Sequence, residues 1–189
     1  MGEARLEDSG SGLAPTTEGW FVVNVRDAMW LTSESSGPKR PSGAECPFES
    51  PLAEFAQLGI RLHVLPPGEP NGLYHRENKQ EDFLVLSWEC RLLVEGEERL
   101  LRTWDFFHSP AGTEHIFIGA GDGPCTILMT GARSEDWNVV YPVSELAARY
   151  GASAEEETTD PRQAYGPRFE PSRRERPSYW DRLPWASAG

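Results

Sequence analysis

From Ile60 onward the apolar residues fall in short runs broken by turn signals. Residues 61–65, Arg-Leu-His-Val-Leu, alternate weakly and stop at Pro66-Pro67-Gly68. Residues 83–86 are unbroken apolar positions, and residues 91–95 and 98–102 flank Glu95-Gly96-Glu97, a hairpin signal. Further β-prone runs follow at 104–108, at 115–118 and, after a Gly-Asp-Gly-Pro turn, at 126–130. Strands at about ten-residue spacing with turns between them predict an all-β sandwich or small barrel. Alternation also fixes facing: His75 and Glu77 share one side of an extended segment while Arg76 points away, and Glu81 keeps that parity with Phe83 and Val85.

The flanks read differently. Residues 1–18 are rich in Gly, Ser and Glu and predict a disordered N-terminus. Residues 20–25 and 28–31 are β-prone, 33–46 predict a mobile loop, and 48–58 predict one short helical turn starting at Pro51 and closing at Gly59. Beyond Arg133, residues 142–150 predict an amphipathic helix with Ser144 as its cap, Leu146 and Tyr150 on one face and Gly151 at its end. Residues 155–160 form an acidic linker. The expected organisation is a barrel over 19–133 followed by a helix and an Arg/Pro-rich arm over 134–189.

Charge sharpens the reading of that arm. The chain carries a formal net charge of −12, but residues 162–189 hold six Arg against Glu170, Glu175 and Asp181, so the tail is +3 and residues 1–161 are −15. A basic, Pro-rich tail bearing Tyr179, Trp180 and Trp185 cannot build a core alone. It is expected to dock on the acidic body or on a partner subunit, with plain disorder as the alternative. The overall acidity argues against nucleic acid and anionic membranes as partners, since both need clustered Lys and Arg. At 189 residues the chain is long enough for one full core, and its 16 Pro and 18 Gly agree with many turns.

Cys46, Cys90 and Cys125 are an odd number with no short Cys-x-x-Cys spacing, which fits reduced thiols rather than a disulfide framework or a metal site. The acidic N-terminus shows no signal-peptide pattern, and no run approaches the roughly 20 apolar residues of a spanning helix. The expected location is therefore cytoplasmic.

The chemistry concentrates between His75 and His115. Two imidazoles and two carboxylates brought together, from His75, Glu77, Glu81 and His115, make a divalent-metal site for Mn, Fe, Zn or Ni, with open positions for water or substrate. The pattern His75-x-Glu77-x₃-Glu81 followed by Pro110-x-Gly112-x₂-His115 resembles the two motifs of the cupin superfamily, usually His-x-His-x₃₋₄-Glu and Pro-x-Gly-x₂-His, over roughly residues 60–132. The resemblance implies a jelly-roll β-barrel with a metal in its mouth, often as a homodimer, with a small-molecule ligand. It carries His75, Glu81 and His115 onto ligand positions, while Glu77 stands where the family usually has its second His and is read as either a ligand or an acceptor beside the metal.

Trp88 and Trp104 stand where Gly is usual, and a turn demanding positive φ there would cost about 1 kcal/mol each. His63 and His108 match no ligand position and read as core or pocket lining. Tyr74, Phe83, Phe106, Phe117 and Met129 read as core, and Arg61 as a surface residue or an anchor for a substrate anion. The functions implied are a metal-dependent, isomerase-like enzyme, an Fe(II) dioxygenase, or a non-catalytic ligand-binding or scaffold cupin.

Overall fold

The computed structural model describes residues 2–33, 43–166 and 172–186. Its strands are β1 (Leu6–Asp8), β2 (Leu13–Pro15), β3 (Leu31–Ser33), β4 (Gly43–Cys46), β5 (Leu58–Leu65), β6 (Arg76–Glu77), β7 (Glu81–Ser87), β8 (Glu89–Val94), β9 (Glu97–Arg102), β10 (Phe106–Ser109), β11 (His115–Ala120), β12 (Cys125–Ala132), β13 (Val139–Val140) and β14 (Arg173–Arg174). Among the described residues, two short helices, α1 (Glu145–Ala148) and α2 (Pro161–Tyr165), and a 3-10 turn at Trp180–Arg182 complete the regular elements.

Seven strands form one sheet in the order β10-β7-β12-β5-β4-β3-β14, and β11-β8-β9 form a second. Strand β6 pairs with β13, and the segment leading into β6 bridges β11 at Pro70–Ile118 and His75–His115. The result is the expected all-β jelly roll. Between the sheets lies a core of Leu65, Phe83, Val85, Leu92, Phe117, Ile127 and Met129, to which alternate residues of β7 and β12 and the end of β5 contribute.

Two of the corners at which the chain crosses between sheets carry a tryptophan. Trp88 (φ 61) leads from β7 to β8, and Trp104 (φ 76) from β9 to β10. The positive φ anticipated at these usual glycine positions is present, so each indole sits on a backbone that favours Gly. Their side chains differ. The Trp88 ring lies against Gly123, where even an added Cβ would meet it at 2.3 Å, whereas Trp104 is 72% exposed. Trp104→Gly is therefore expected to be neutral or to stabilise by up to about 1 kcal/mol, and Trp88→Gly to destabilise by about 1–2 kcal/mol. Urea unfolding of the two variants distinguishes them, and equal losses in both would refute this account. The β8–β9 hairpin turns on Glu95 (φ 48) and Gly96 (φ 77), the two positive-φ residues that a tight turn of the hairpin hand demands.

Each sheet's outer face is covered by chain from outside the barrel. On the large sheet, Leu62, Val64, Ala44 and Cys46 meet Trp30 from the N-terminal segment and Leu183, Tyr179, Trp180 and Trp185 from the C-terminal arm. On the other, Tyr74, Leu93, Ile116 and Ile118 are covered by Ala147 and Leu146 of α1 and by Tyr150. Ser144 caps α1 as expected, accepting from Ala147 N, but the helix is shorter than predicted because Gly151 (φ 70) and the backbone bond from Ala152 N to Ala147 O close it early. The α2 helix, absent from the expectations, is capped by Asp160 with Pro161 at its start.

Several local expectations are corrected. Residues 1–18 are not disordered where described: β1 and β2 pair as a hairpin, Ser11 Oγ donates to Trp30 O, and Gly12 presses so closely on Ala28 that a Cβ would lie 2.1 Å from its carbonyl oxygen. Residues 20–25 make no ladder beyond a bridge from Trp20 to Glu3, because the chain turns at Asn24–Asp27, where the Asn24 side chain accepts from Arg26 N. Of the loop expected at 33–46, residues 34–42 lie outside the described residues, and Gly43–Cys46 is a paired strand. Residues 48–58 hold a turn, not a helix, since Glu49 and the Phe55 carbonyl are both tied to the Arg133 guanidinium. Phe106 is 63% exposed; on β10 it is Phe107 that faces inward, its ring stacked 5.6 Å from Phe83. No helix among the described residues is long and apolar enough to cross a membrane.

Candidate metal centre

Antiparallel pairing makes His75 and His115 direct cross-strand neighbours. Each backbone N–H donates to the other's carbonyl, at 3.1 and 2.8 Å, so both side chains rise from the same face with ring centroids 4.9 Å apart. Glu81 opens β7 in the facing sheet and reaches across, its Oε2 3.6 Å from His115 Nε2. One ligand atom from each of His75, Glu81 and His115 lies within 4.8 Å of the others. Three residues assigned to the site from sequence are thus brought together by two sheets closing on each other.

The tautomers are set by the backbone. His75 Nδ1 lies 2.7 Å from Leu73 O and His115 Nδ1 lies 3.1 Å from Thr113 O. A carbonyl can only accept, so each Nδ1 carries the proton and each Nε2 lone pair is left for a cation. Beneath, Phe83, Phe107 and Phe117 ring His115 at 5.2 to 6.1 Å between centroids and close the barrel floor. Desolvation, aided by neighbouring His75, lowers the His115 imidazole to about 3, and burial lowers His75 as well. Both rings are therefore neutral, the form that ligates metals. Burial, with the nearby Glu77 charge, pushes the Glu81 carboxyl up to about 8 against the counter-effect of Arg61. Two neutral imidazoles beside a desolvated carboxyl fit a divalent cation, which would restore the carboxylate to its charged form.

Glu77 does not join the three. It lines the cleft with the parity expected, but its Oε2 accepts a 2.7 Å hydrogen bond from Trp137 Nε1. The cleft above the centre encloses about 510 Å³. Its far wall is Arg61, His63 and Asn71 with Thr130 and Arg133, and Trp137 stands at the mouth, 46% exposed. Both cations there are paired, Arg61 with Glu45 at 2.9 Å and Arg133 with Glu49. His63 lines the cleft as one of its two readings had it, and desolvation lowers its imidazole. His108 lies elsewhere, its Nδ1 2.6 Å from Asp82 Oδ1, because its strand position pairs it with the outward-facing Asp82. The three cysteines are free and buried, away from the ligand set.

Trp137, Asn71 and Arg133 line the cleft without belonging to either motif. Only an aromatic residue isolated in the polar run Ser134-Glu135-Asp136-Trp137-Asn138 hinted at Trp137.

The titrations set a stability profile for the chelator-treated protein. Glu81, raised from 4.5 to about 8, contributes stability that is full below 4.5 and lost as pH rises through 8. His115, lowered from 6.5 to about 3, contributes stability that is full above 6.5 and lost as pH falls through 3. Burial lowers His75 and His63 in the same way, so the stability gained by the imidazoles outweighs the Glu81 loss up to their ordinary value. The melting temperature should therefore peak near pH 6.5, and stability should fall by about 2 kcal/mol between pH 6.5 and 8.5. Saturating divalent metal should remove the alkaline loss. A melting temperature that rises from pH 6.5 to 8.5 without metal would contradict the placement of Glu81.

Known proteins agree with the fold. The family model described as Cupin domain matches residues 61–131. A sugar phosphate isomerase from a cupin superfamily, from Silicibacter pomeroyi, is 22% identical and superposes with a TM-score of 0.52, over 64% of this chain and 81% of that one. A polyketide cyclase from Streptomyces resistomycificus is 12% identical with a TM-score of 0.52, over 63% and 84%. A protein from Acidithiobacillus ferrooxidans is 22% identical with a TM-score of 0.47; 52% of this chain is covered and 64%, under two thirds, of that one. No curated protein matches the chain. At these identities the likeness speaks for the fold alone. Residues 61–131, the part of the jelly roll that carries both motifs, match the Cupin domain family.

Proposed function

We propose that this chain is a metal-binding cupin that takes a small polar ligand into the barrel mouth and acts on it as an isomerase-like enzyme. The observation that carries the reading is the convergence of His75, Glu81 and His115 on the floor of a cleft that also holds a carboxylate outside their group, Glu77. A divalent cation held by the three would polarise a ligand's carbonyl or hydroxyl oxygen. Glu77, aimed into the same cleft, is placed to take a proton from the adjacent carbon and return it. Arg61 and Asn71 line the cleft within reach of hydroxyl or carboxylate groups, and the aromatic floor shuts out water from below.

The substrate class follows from charge. Arg61 and Arg133 are already engaged by Glu45 and Glu49, so the cleft offers little uncompensated positive charge for a phosphate dianion. Neutral sugars and small hydroxy-carboxylates fit better, although the Silicibacter pomeroyi neighbour is a sugar phosphate isomerase. A second reading rests on ligand type: two histidines with one carboxylate is the donor set of non-haem Fe(II) oxygenases.

The test is to load the protein separately with Mn, Fe, Zn and Ni, measure stoichiometry, and follow deuterium uptake from D₂O into sugars and hydroxy-carboxylates by NMR. Metal-dependent exchange at the carbon beside the carbonyl, lost in Glu77→Gln, is expected. Substrate-dependent oxygen consumption by the iron-loaded protein without exchange would favour the oxygenase. Ligand binding with neither activity would leave a non-catalytic cupin.

A further inference from the structure

Glu77 occupies a motif position from which a side chain can reach the metal site, yet it is engaged elsewhere. Its backbone has little freedom. Glu77 pairs with Val139 in the β6–β13 ladder, and its carbonyl accepts from Gly112 N at 2.7 Å. What decides where the carboxylate goes is therefore side-chain rotation, and the partner holding it is the indole N–H of Trp137, 2.7 Å from Oε2. A charged acceptor makes this one of the stronger kinds of hydrogen bond.

The indole is itself held. The Ser134–Asn138 segment is bolted to the residues that follow Glu77. Asn78 Nδ2 donates to Asp136 O at 2.7 Å, Asn78 Oδ1 accepts from Asn138 N at 2.8 Å, and Asn78 N donates to Asn138 O at 3.1 Å. Lys79 Nζ adds an ion pair with Asp136 at 2.8 Å. Within the segment, Ser134 Oγ donates to Asp136 Oδ1. These contacts carry Trp137 on the same piece of structure that carries Glu77, so the two move together or not at all.

We propose that Trp137 is a positioning residue that keeps the Glu77 carboxylate off the metal, so that His75, Glu81 and His115 alone hold the cation and Glu77 stays free in the cleft. The proposal rests on the metal-binding reading above. It assigns a purpose to the departure from the usual motif: a longer, rotatable carboxylate replaces an imidazole, and an indole from a segment 60 residues away restrains it. Without the indole N–H, the carboxylate is drawn by the cation's charge towards the coordination sphere.

The test is Co(II) titration of the full chain, followed by visible absorption and by binding affinity, for wild type, Glu77→Gln, Trp137→Phe and the double variant. Trp137 is half exposed and Phe keeps most of its ring, so the fold should persist; thermal melting verifies it. Glu77→Gln should leave the Co(II) spectrum of wild type unchanged. Trp137→Phe should change the spectrum and tighten binding by about tenfold as Glu77 becomes a fourth protein ligand. The double variant should return to the wild-type spectrum, a reversal that a merely structural role for Trp137 would not produce. A changed spectrum in Glu77→Gln alone would show Glu77 already on the metal and overturn the proposal while leaving the metal site intact. An unchanged spectrum in Trp137→Phe would overturn it too. Failure of wild type to take up Co(II) or any of the metals above would remove the metal site itself and this proposal with it.

Discussion

His115→Ala should weaken divalent-metal binding by about 100-fold or more, in a protein that still folds. The side chain is 2% exposed, its Nε2 faces Glu81, and its Nδ1 is committed to Thr113 O, so no neighbouring group can replace the missing lone pair. His75 and Glu81 would remain as a pair of ligands, too few to hold a cation against water. The backbone pairing of residue 115 with His75 does not need the imidazole, so the sheet should survive. Three phenylalanine rings pack against the ring, and their loss of contact should lower the melting temperature only modestly. Calorimetric titration with Mn or Zn measures the effect, and full occupancy in the variant would count against the assignment of all three ligands.

The second large effect lies on the opposite side of the large sheet. Trp30→Ala should destabilise the protein by about 3–5 kcal/mol, the range for removing a fully buried large aromatic. Trp30 has no exposed surface, stacks on Trp185 at 5.2 Å and meets Trp180 edge-on at 5.4 Å. Its Nε1 donates to Val25 O, so the substitution also strips a partner from the N-terminal segment. Because Trp180 and Trp185 lose their platform, removal of residues 172–189 from the wild-type chain should reproduce much of the loss, a drop of about 10 °C or more in melting temperature. The β14–β3 pairing and the bond from Arg182 to Asp122 O go with it. An unchanged melting temperature after that deletion would show that the arm's docking contributes nothing.

These two effects fall on different sides of what could be read in advance. The barrel was legible: turn residues at Glu95-Gly96, the stop at Pro66-Pro67 and short apolar runs at regular spacing place the strands of the jelly roll closely. The candidate metal group was legible as well, as ligand-type residues at motif spacing, although parity relates only His75 to Glu77 within one extended segment and Glu81 belongs to the facing sheet. The arm was legible only as charge and aromatic content. Its two alternative docking sites, its own barrel or a partner, differ in nothing that composition records; the structure places it on its own barrel. The ends were misread for a related reason. Residues 2–18 have a composition that cannot build a core, yet small residues let them lie against one: Ser11 and Gly12 approach the backbone of Trp30 and Ala28 where larger side chains would not fit.

What the sequence determined by itself is therefore local: which residues alternate, where the chain turns, and which side chains have metal-binding chemistry. Alternation and turn formation act over a few residues, so a linear pattern records them fully. The tertiary structure alone decided that His75 and His115 stand opposite each other in one ladder, that Glu81 meets them from the facing sheet, and that the indole of Trp137 takes the Glu77 carboxylate. Those contacts join segments 34 to 60 residues apart in the chain, and they form only when two sheets close and a clamped loop folds over the mouth. The candidate ligand types were written in the motif, but where the Glu77 carboxylate lies is decided by the hydrogen bond it accepts from Trp137.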